Sequence, residues 1–154
     1  GERGEASFAI AGHLAAALDL AQDAARAAEV ADLYLEASRS ALAISAIHTA
    51  GDYVQKALEW SAAIPDGWNT EYPLMLEGHE LAARTALYTG DYERLAQYSK
   101  TVFQKAQAPI DKAAVFKSCI TAATFPGAYD TSCGWLPGGR AELGARLLRR
   151  LASG

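Results

Sequence analysis

This chain lacks long apolar runs, an excess of positive charge, a cysteine framework and a strand-forming composition. No stretch approaches the roughly 18 consecutive apolar residues that a bilayer-spanning helix needs. The Ala-rich stretch 9–20 has no basic leader and contains His13 and Asp19, so it does not read as a signal peptide. With 14 basic and 18 acidic residues the net charge is −4, which argues against a nucleic-acid footprint. The C-terminal group Arg146, Arg149 and Arg150 reads as a solvated helix end. Cys119 and Cys133 make neither a disulfide framework nor a metal-ligand pair. Cys119 falls in a helical pattern and is expected as a buried thiol, and both cysteines fit a reducing cytoplasm. Val and Ile are scarce, whereas Ala dominates an apolar fraction of 51%. That balance favours helix over strand. A length of 154 residues suits one domain with a core of its own. The first residue is Gly1 rather than Met, which raises the expectation of a piece of a longer polypeptide.

What is present is helical periodicity. Residues 1–5 are expected to fray. Phe8, Ile10, Ala11, Leu14, Ala17 and Leu18 follow i, i+3, i+4 and i+7 steps and predict a short first helix. Asp19 or Asp23 is placed to cap a second, striped by Ala27, Val30, Ala31, Tyr34, Leu35 and Ser38. Ser38-Arg39-Ser40 offers a turn after it. From Ala43 the stripe passes through Ala46, Ile47, Ala50, Val54, Ala57 and Leu58. Its register crosses Gly51 without slipping, which favours Gly51 inside a helix over a turn at 49–52. Pro65-Asp66-Gly67 ends that helix.

Tyr72, Met75, Leu76, His79, Ala82, Ala83 and Ala86 form the next apolar face, and Tyr92, Leu95, Ser99 and Val102 another. A single helix from Glu71 to Gln107 would be improbably long for a compact domain, so Thr89-Gly90-Asp91 is expected to turn. Gly90 supplies a residue tolerant of left-handed backbone, and Asp91 an N-cap. Asp111-Lys112 is expected to start the next helix, with Asp111 at its positive dipole end. Gly-Asp-Tyr at 51–53 and 90–92, and Gly-Ala-Tyr-Asp at 127–130, recur at separations of 39 (90 − 51) and 37 (127 − 90). Those periods resemble helical hairpin repeats. Residues 131–140 are rich in Gly and Pro and read as irregular, and helical pattern returns from Ala141 to Leu151 within a C-terminal helix and tail, 141–154.

Chemistry is thin. His79-Glu80 begins like a zinc-protease helix, but position 83 is Ala where a second His is required. No Pro follows to complete a phosphoacceptor motif. His13 and His48 have no carboxylate or cysteine at ligand spacing. Pro137-Gly138-Gly139-Arg140 lacks the Lys-Ser or Lys-Thr of a phosphate loop, and no Ser sits in a Gly-x-Ser-x-Gly setting. No catalytic residue, cofactor, metal or small-molecule substrate is expected. The aromatic residues, Trp68, Tyr72 and Tyr92 above all, are the candidate interaction surface.

In order and spacing, Ala46, Ala50, Tyr53, Leu58, Trp68, Tyr72, Leu74, Leu76, His79, Ala82, Ala83, Gly90, Asp91, Tyr92, Asp111, Lys112 and Val115 form a recognisable series. Through them, residues 45–120 resemble the helical-repeat region that follows the predicted ATPase domain of large multidomain sensor kinases of fungi and bacteria. The likeness lapses after Tyr129. It implies a cytoplasmic signalling parent with a nucleotide-binding ATPase upstream and sensor and histidine-kinase domains downstream. None of their active-site motifs occurs here, so the resemblance carries over no catalytic residue.

The expectation is therefore an all-α, tetratricopeptide-like α-solenoid of six to eight helices over 6–130, paired as antiparallel hairpins. Its expected role is a non-catalytic scaffold or relay, contacting domains of its own polypeptide or a protein partner, without nucleic acid. The alternative is a free-standing peptide-binding module.

Overall fold

A computed structural model describes residues 2–124 of the chain. The expectations for Gly1, for the Gly-Ala-Tyr-Asp match, for the irregular segment 131–140 and for the C-terminal helix lie outside those residues. The described residues are all-α: α1 (Glu2–Ala43), α2 (Ile47–Ala62), a single turn α3 (Gly67–Thr70), α4 (Tyr72–Thr89), α5 (Tyr92–Lys105) and α6 (Ala113–Ala123). A 3₁₀ turn, Pro109–Lys112, precedes α6.

The first departure from expectation is α1, one helix of 42 residues and about 63 Å long. It replaces the short first helix, the caps at Asp19 or Asp23 and the turn at Ser38-Arg39-Ser40. No Pro occurs before Pro65, and Gly12 is the only glycine between Gly4 and Gly51, so nothing in the run stops a helix. Ser38 is fully buried, and its hydroxyl donates to the carbonyl of Ala50 at 2.8 Å. It ties α1 to α2 instead of turning the chain.

The turn comes later, at Ile44-Ser45-Ala46. Ser45 adopts φ 60°, and the Ala46 N–H closes back on the Ala41 carbonyl at 2.9 Å. This is the closure by which a left-handed residue ends a helix, here made without glycine.

In α2 the buried residues Ala50, Val54, Ala57 and Ser61 step by four, three and four, giving one packing face. Gly51 lies within this helix, so Gly51-Asp52-Tyr53 is not a turn, whereas Gly90-Asp91 is. Gly90 takes φ 74° at the end of α4, and the Asp91 side chain accepts from the Arg94 N–H at the start of α5. A methyl at Gly51 would meet nothing nearer than Thr85 Cβ at 3.9 Å, an ordinary contact. Gly51→Ala is therefore expected to raise stability by about 0.5–1 kcal/mol, because the unfolded chain loses freedom and the helix gains a better former. An unchanged or lower urea midpoint would contradict this.

Short turns fold α2 back along α1 and α5 back along α4. α4 is the hub: it touches α1, α2, α5 and α6. A helix approached from so many sides needs small residues where its neighbours converge, and α4 buries Gly78, Ala82, Ala83, Thr85 and Ala86. One core cluster joins Leu35, Val54, Ala57, Leu81 and Ala82. A second joins Ala83, Ala86, Leu95, Val102, Val115, Cys119 and Ala122. Tyr98 packs against both. Cys119 is buried but is disulfide-bonded, which corrects the buried-thiol expectation. A disulfide sulfur carries no proton, so the Ser99 hydroxyl, 3.3 Å away, is the donor toward it.

Candidate interaction surfaces

The aromatic residues singled out in the sequence meet mostly inside the fold. The loop Pro65-Asp66 and the turn α3 bring Trp68 down onto α4. Its ring lies 6.0 Å from Tyr72 and 5.0 Å from the imidazole of His79, which in turn meets Tyr98 of α5 edge-on at 6.2 Å. Met75 and Gly67 set how closely this turn sits: a Cβ at Gly67 would come 3.2 Å from Met75 Sδ. The Tyr98 hydroxyl accepts from the Gln55 side-chain amide of α2, so the row crosses from α3 to α2.

Tyr72 has a specific partner that the sequence did not suggest. Its hydroxyl donates to Asp111 Oδ2 at 2.6 Å and accepts from the Gln107 N–H at 2.9 Å. These bonds pin the segment between α5 and α6 against the start of α4. Asp111 therefore lies in the 3₁₀ turn with its carboxylate on Tyr72, and no side chain caps the start of α6. Partial burial and the bond to Asp111 raise the Tyr72 pKa above 10.0. Tyr92 packs against the second core cluster. Trp68, Tyr72 and Tyr92 are thus half-buried joints between helices, whereas Tyr53, Trp60 and Tyr88 are exposed.

His79 is a second titratable group that this packing perturbs. Burial lowers its pKa below 6.5, and the bond between Nδ1 and the Met75 carbonyl (2.7 Å) opposes that shift. In the window between the unfolded and the lowered folded value, the unfolded state holds more protons. Stability then rises with pH. The contribution of neutral His79 is intact above about pH 6.5 and is lost as the pH falls from there toward the folded value. Neighbouring Glu80 acts in the opposite sense. Burial raises its pKa above 4.5, with Arg84 opposing and Asp111 and Glu77 reinforcing, so its share is lost as pH rises through that range. Wild type is expected to lose urea resistance between about pH 7.5 and about pH 5.5, and His79→Gln to flatten that slope. Equal slopes in the two proteins would rule His79 out as its source.

Among the described residues are two surface openings of different size. The smaller, about 160 Å³, lies between α2, α4 and α5, with His48, Asp52, Gln55, Thr85 and the Arg94–Asp91 ion pair around it. The larger, about 670 Å³, lies where the ends of α1 and α4 meet the turn into α2. Arg39, Arg84, Tyr88, Leu42 and Ile47 line it. Arg39 is held by Glu77. Arg84 has no carboxylate within 4.0 Å among the described residues, although it acts on Glu80 through space. The sequence shows these two arginines only as scattered charges; the packing of α4 against α1 brings them to one opening.

Among the described residues no group of three His, Cys, Asp or Glu side chains is placed to hold a metal ion. No described helix is long and apolar enough to cross a membrane. Comparison with protein-family models, curated proteins and solved structures gives no match for the chain.

Proposed function

We propose that this segment is a non-catalytic helical-repeat scaffold, a tetratricopeptide-like α-solenoid of stacked hairpins that spaces or restrains other protein domains. The observation that carries this reading is the hub position of α4, whose small residues let hairpin α1–α2 on one side and α5 with α6 on the other approach together. Turns closed by left-handed residues, Ser45 and Gly90, recur 45 residues apart (90 − 45) and support a repeating unit. The resemblance drawn from Trp68, Gly90-Asp91-Tyr92 and Asp111-Lys112 supports a more specific setting. There the segment couples an upstream ATPase to a downstream kinase in a larger sensor protein. A cytoplasmic location rests on that setting alone, since a disulfide at Cys119 is unusual in a reducing compartment. Deleting residues 43–112 from a full-length parent is expected to uncouple kinase output from its input. Unchanged regulation after the deletion would overturn the proposal.

The larger opening favours a second reading, a peptide-binding module. Arg39 and Arg84 beside exposed Tyr88 and apolar Leu42 and Ile47 combine the residue types that anchor protein interfaces. An acidic peptide with an apolar side chain would complement them. The probe is a fluorescein-labelled decapeptide alternating Glu and Leu, followed by anisotropy. Binding that Arg84→Glu weakens about tenfold or more supports this reading; no binding by wild type removes it.

A further inference from the structure

The smaller opening, between α2, α4 and α5, has a chemistry that no other part of the fold uses. Small residues clear its space: Gly51 of α2 has no side chain, and Ala82 and Ala86 of α4 stop at Cβ. The repeated Gly-Asp-Tyr triplet reaches it twice, with Asp52 from within α2 and Asp91 from the start of α5. Asp91 is committed. It accepts from the Arg94 N–H at 3.1 Å, and its other oxygen lies 3.5 Å from Arg94 Nε. Asp52 makes no hydrogen bond or ion pair with any described residue. Beside it, the Gln55 side-chain amide nitrogen donates to the Tyr98 hydroxyl. The Gln55 carbonyl oxygen is thereby left as a second acceptor, three residues from Asp52 on the same face of α2.

We propose that this opening binds a primary alkylammonium group, the head carried by small free amines and by lysine side chains. Charge selects the sign. Two carboxylates and one guanidinium line the opening, and the guanidinium is already matched by Asp91, so Asp52 leaves one negative charge in excess. An anion entering here would meet that charge unopposed. An ammonium has three donors and no acceptor, and Asp52, Gln55 and the remaining lone pairs of Asp91 supply what it needs. A metal ion is less well served, because among the described residues no three His, Cys, Asp or Glu are placed to hold one. Size selects the rest. A cavity of about 150 Å³ accepts a molecule of roughly six heavy atoms. The volume of about 160 Å³ therefore admits a four-carbon stem with its nitrogen. Ala82 and Ala86 offer that stem methyl groups to lie on. The site is separate from the larger opening and does not depend on the scaffold reading.

The test is a titration of the isotope-labelled full chain with n-butylammonium chloride, at constant ionic strength and about pH 8, where an alkylamine is charged. Saturable amide shifts at Gly51, Asp52 and Asp91 are expected, with a Kd on the order of millimolar for so small a probe. Butan-1-ol, which has the same stem without the charge, should leave those amides unmoved. Asp52→Asn should weaken binding about fivefold or more. Asp32→Asn removes an equal charge from α1 and should not weaken it. Both aspartates are exposed, so both variants keep the fold. Nα-acetyl-lysine methylamide separates the two sources. Shifts with both amines support a site that also takes a protein's lysine side chain, and shifts with n-butylammonium alone support a site for free amines. No saturable shift with either amine would overturn the proposal, as would undiminished binding by Asp52→Asn or equal binding of butan-1-ol.

Discussion

Leu95→Ala is expected to destabilise the chain by about 2–5 kcal/mol. Leu95 has no exposed surface, and it shares a core cluster with Val102 of its own helix and with Val115, Cys119 and Ala122 of α6. Removing its side-chain atoms forfeits their transfer free energy and leaves a cavity between α4, α5 and α6. The walls have little freedom to collapse, since Ala83 and Ala86 on α4 are already at minimum size. A typical domain has a total stability of only about 5–15 kcal/mol, so this one change takes a large share. The check is urea denaturation of wild type and variant with the slope m compared. Leu33→Ala serves as control because that leucine is largely exposed and is expected to shift stability by no more than about 0.5 kcal/mol. Similar losses at Leu95 and Leu33 would mean that α5 does not pack as described.

The second large effect is in the opposite geometric sense. Gly78 is buried on α4, where a Cβ would approach Leu58 Cδ2 to 3.3 Å and Leu35 Cδ2 to 3.9 Å. A single methyl there is tight but borders on flexible side-chain ends, and alanine gains helix propensity in return. Valine adds two more carbons against the same leucines and cannot turn away from both. Gly78→Val is therefore expected to cost about 1–3 kcal/mol by overpacking, read as a lower thermal midpoint. Because Leu35 belongs to α1 and Leu58 to α2, the damage would propagate to both. A midpoint equal to wild type would contradict a close approach of α1 and α2 to Gly78.

The two turns show where local chemistry is readable. Gly90-Asp91 carries its own signal, since glycine is suited to the left-handed closing position and aspartate to the N-cap, and the structure uses both. Ile44-Ser45-Ala46 carries none. The chain turns there because tertiary packing of α2 on α1 outweighs the cost of a left-handed serine, and helical periodicity runs through the break without slipping. The same blindness made Ser38 look like a turn residue, when its hydroxyl satisfies the Ala50 carbonyl across the helix pair. Repetition also misled: Gly-Asp-Tyr occurs at 51–53 and at 90–92, yet only the second copy turns.

At the surface, periodicity placed Trp68, Tyr72 and His79 close together along one stretch but could not tell a groove from a joint. That distinction depends on α5 and on the 3₁₀ turn that delivers Asp111 to Tyr72. Arg39 and Arg84 belong to helices that meet only through the third dimension, so nothing in their sequence spacing announces the shared opening.

Tyr98 gives the molecule a further property. Helices joined by short turns are free in principle to peel away from one end of a bundle. A ring seated in both core clusters, with its hydroxyl engaged by Gln55, resists that piecemeal melting. Peeling α1 and α2 away would strip one side of the Tyr98 ring bare, and freeing α5 would remove it from the other half. The halves thus share their fate, and amide exchange should show α2 and α5 opening together as one cooperative unit.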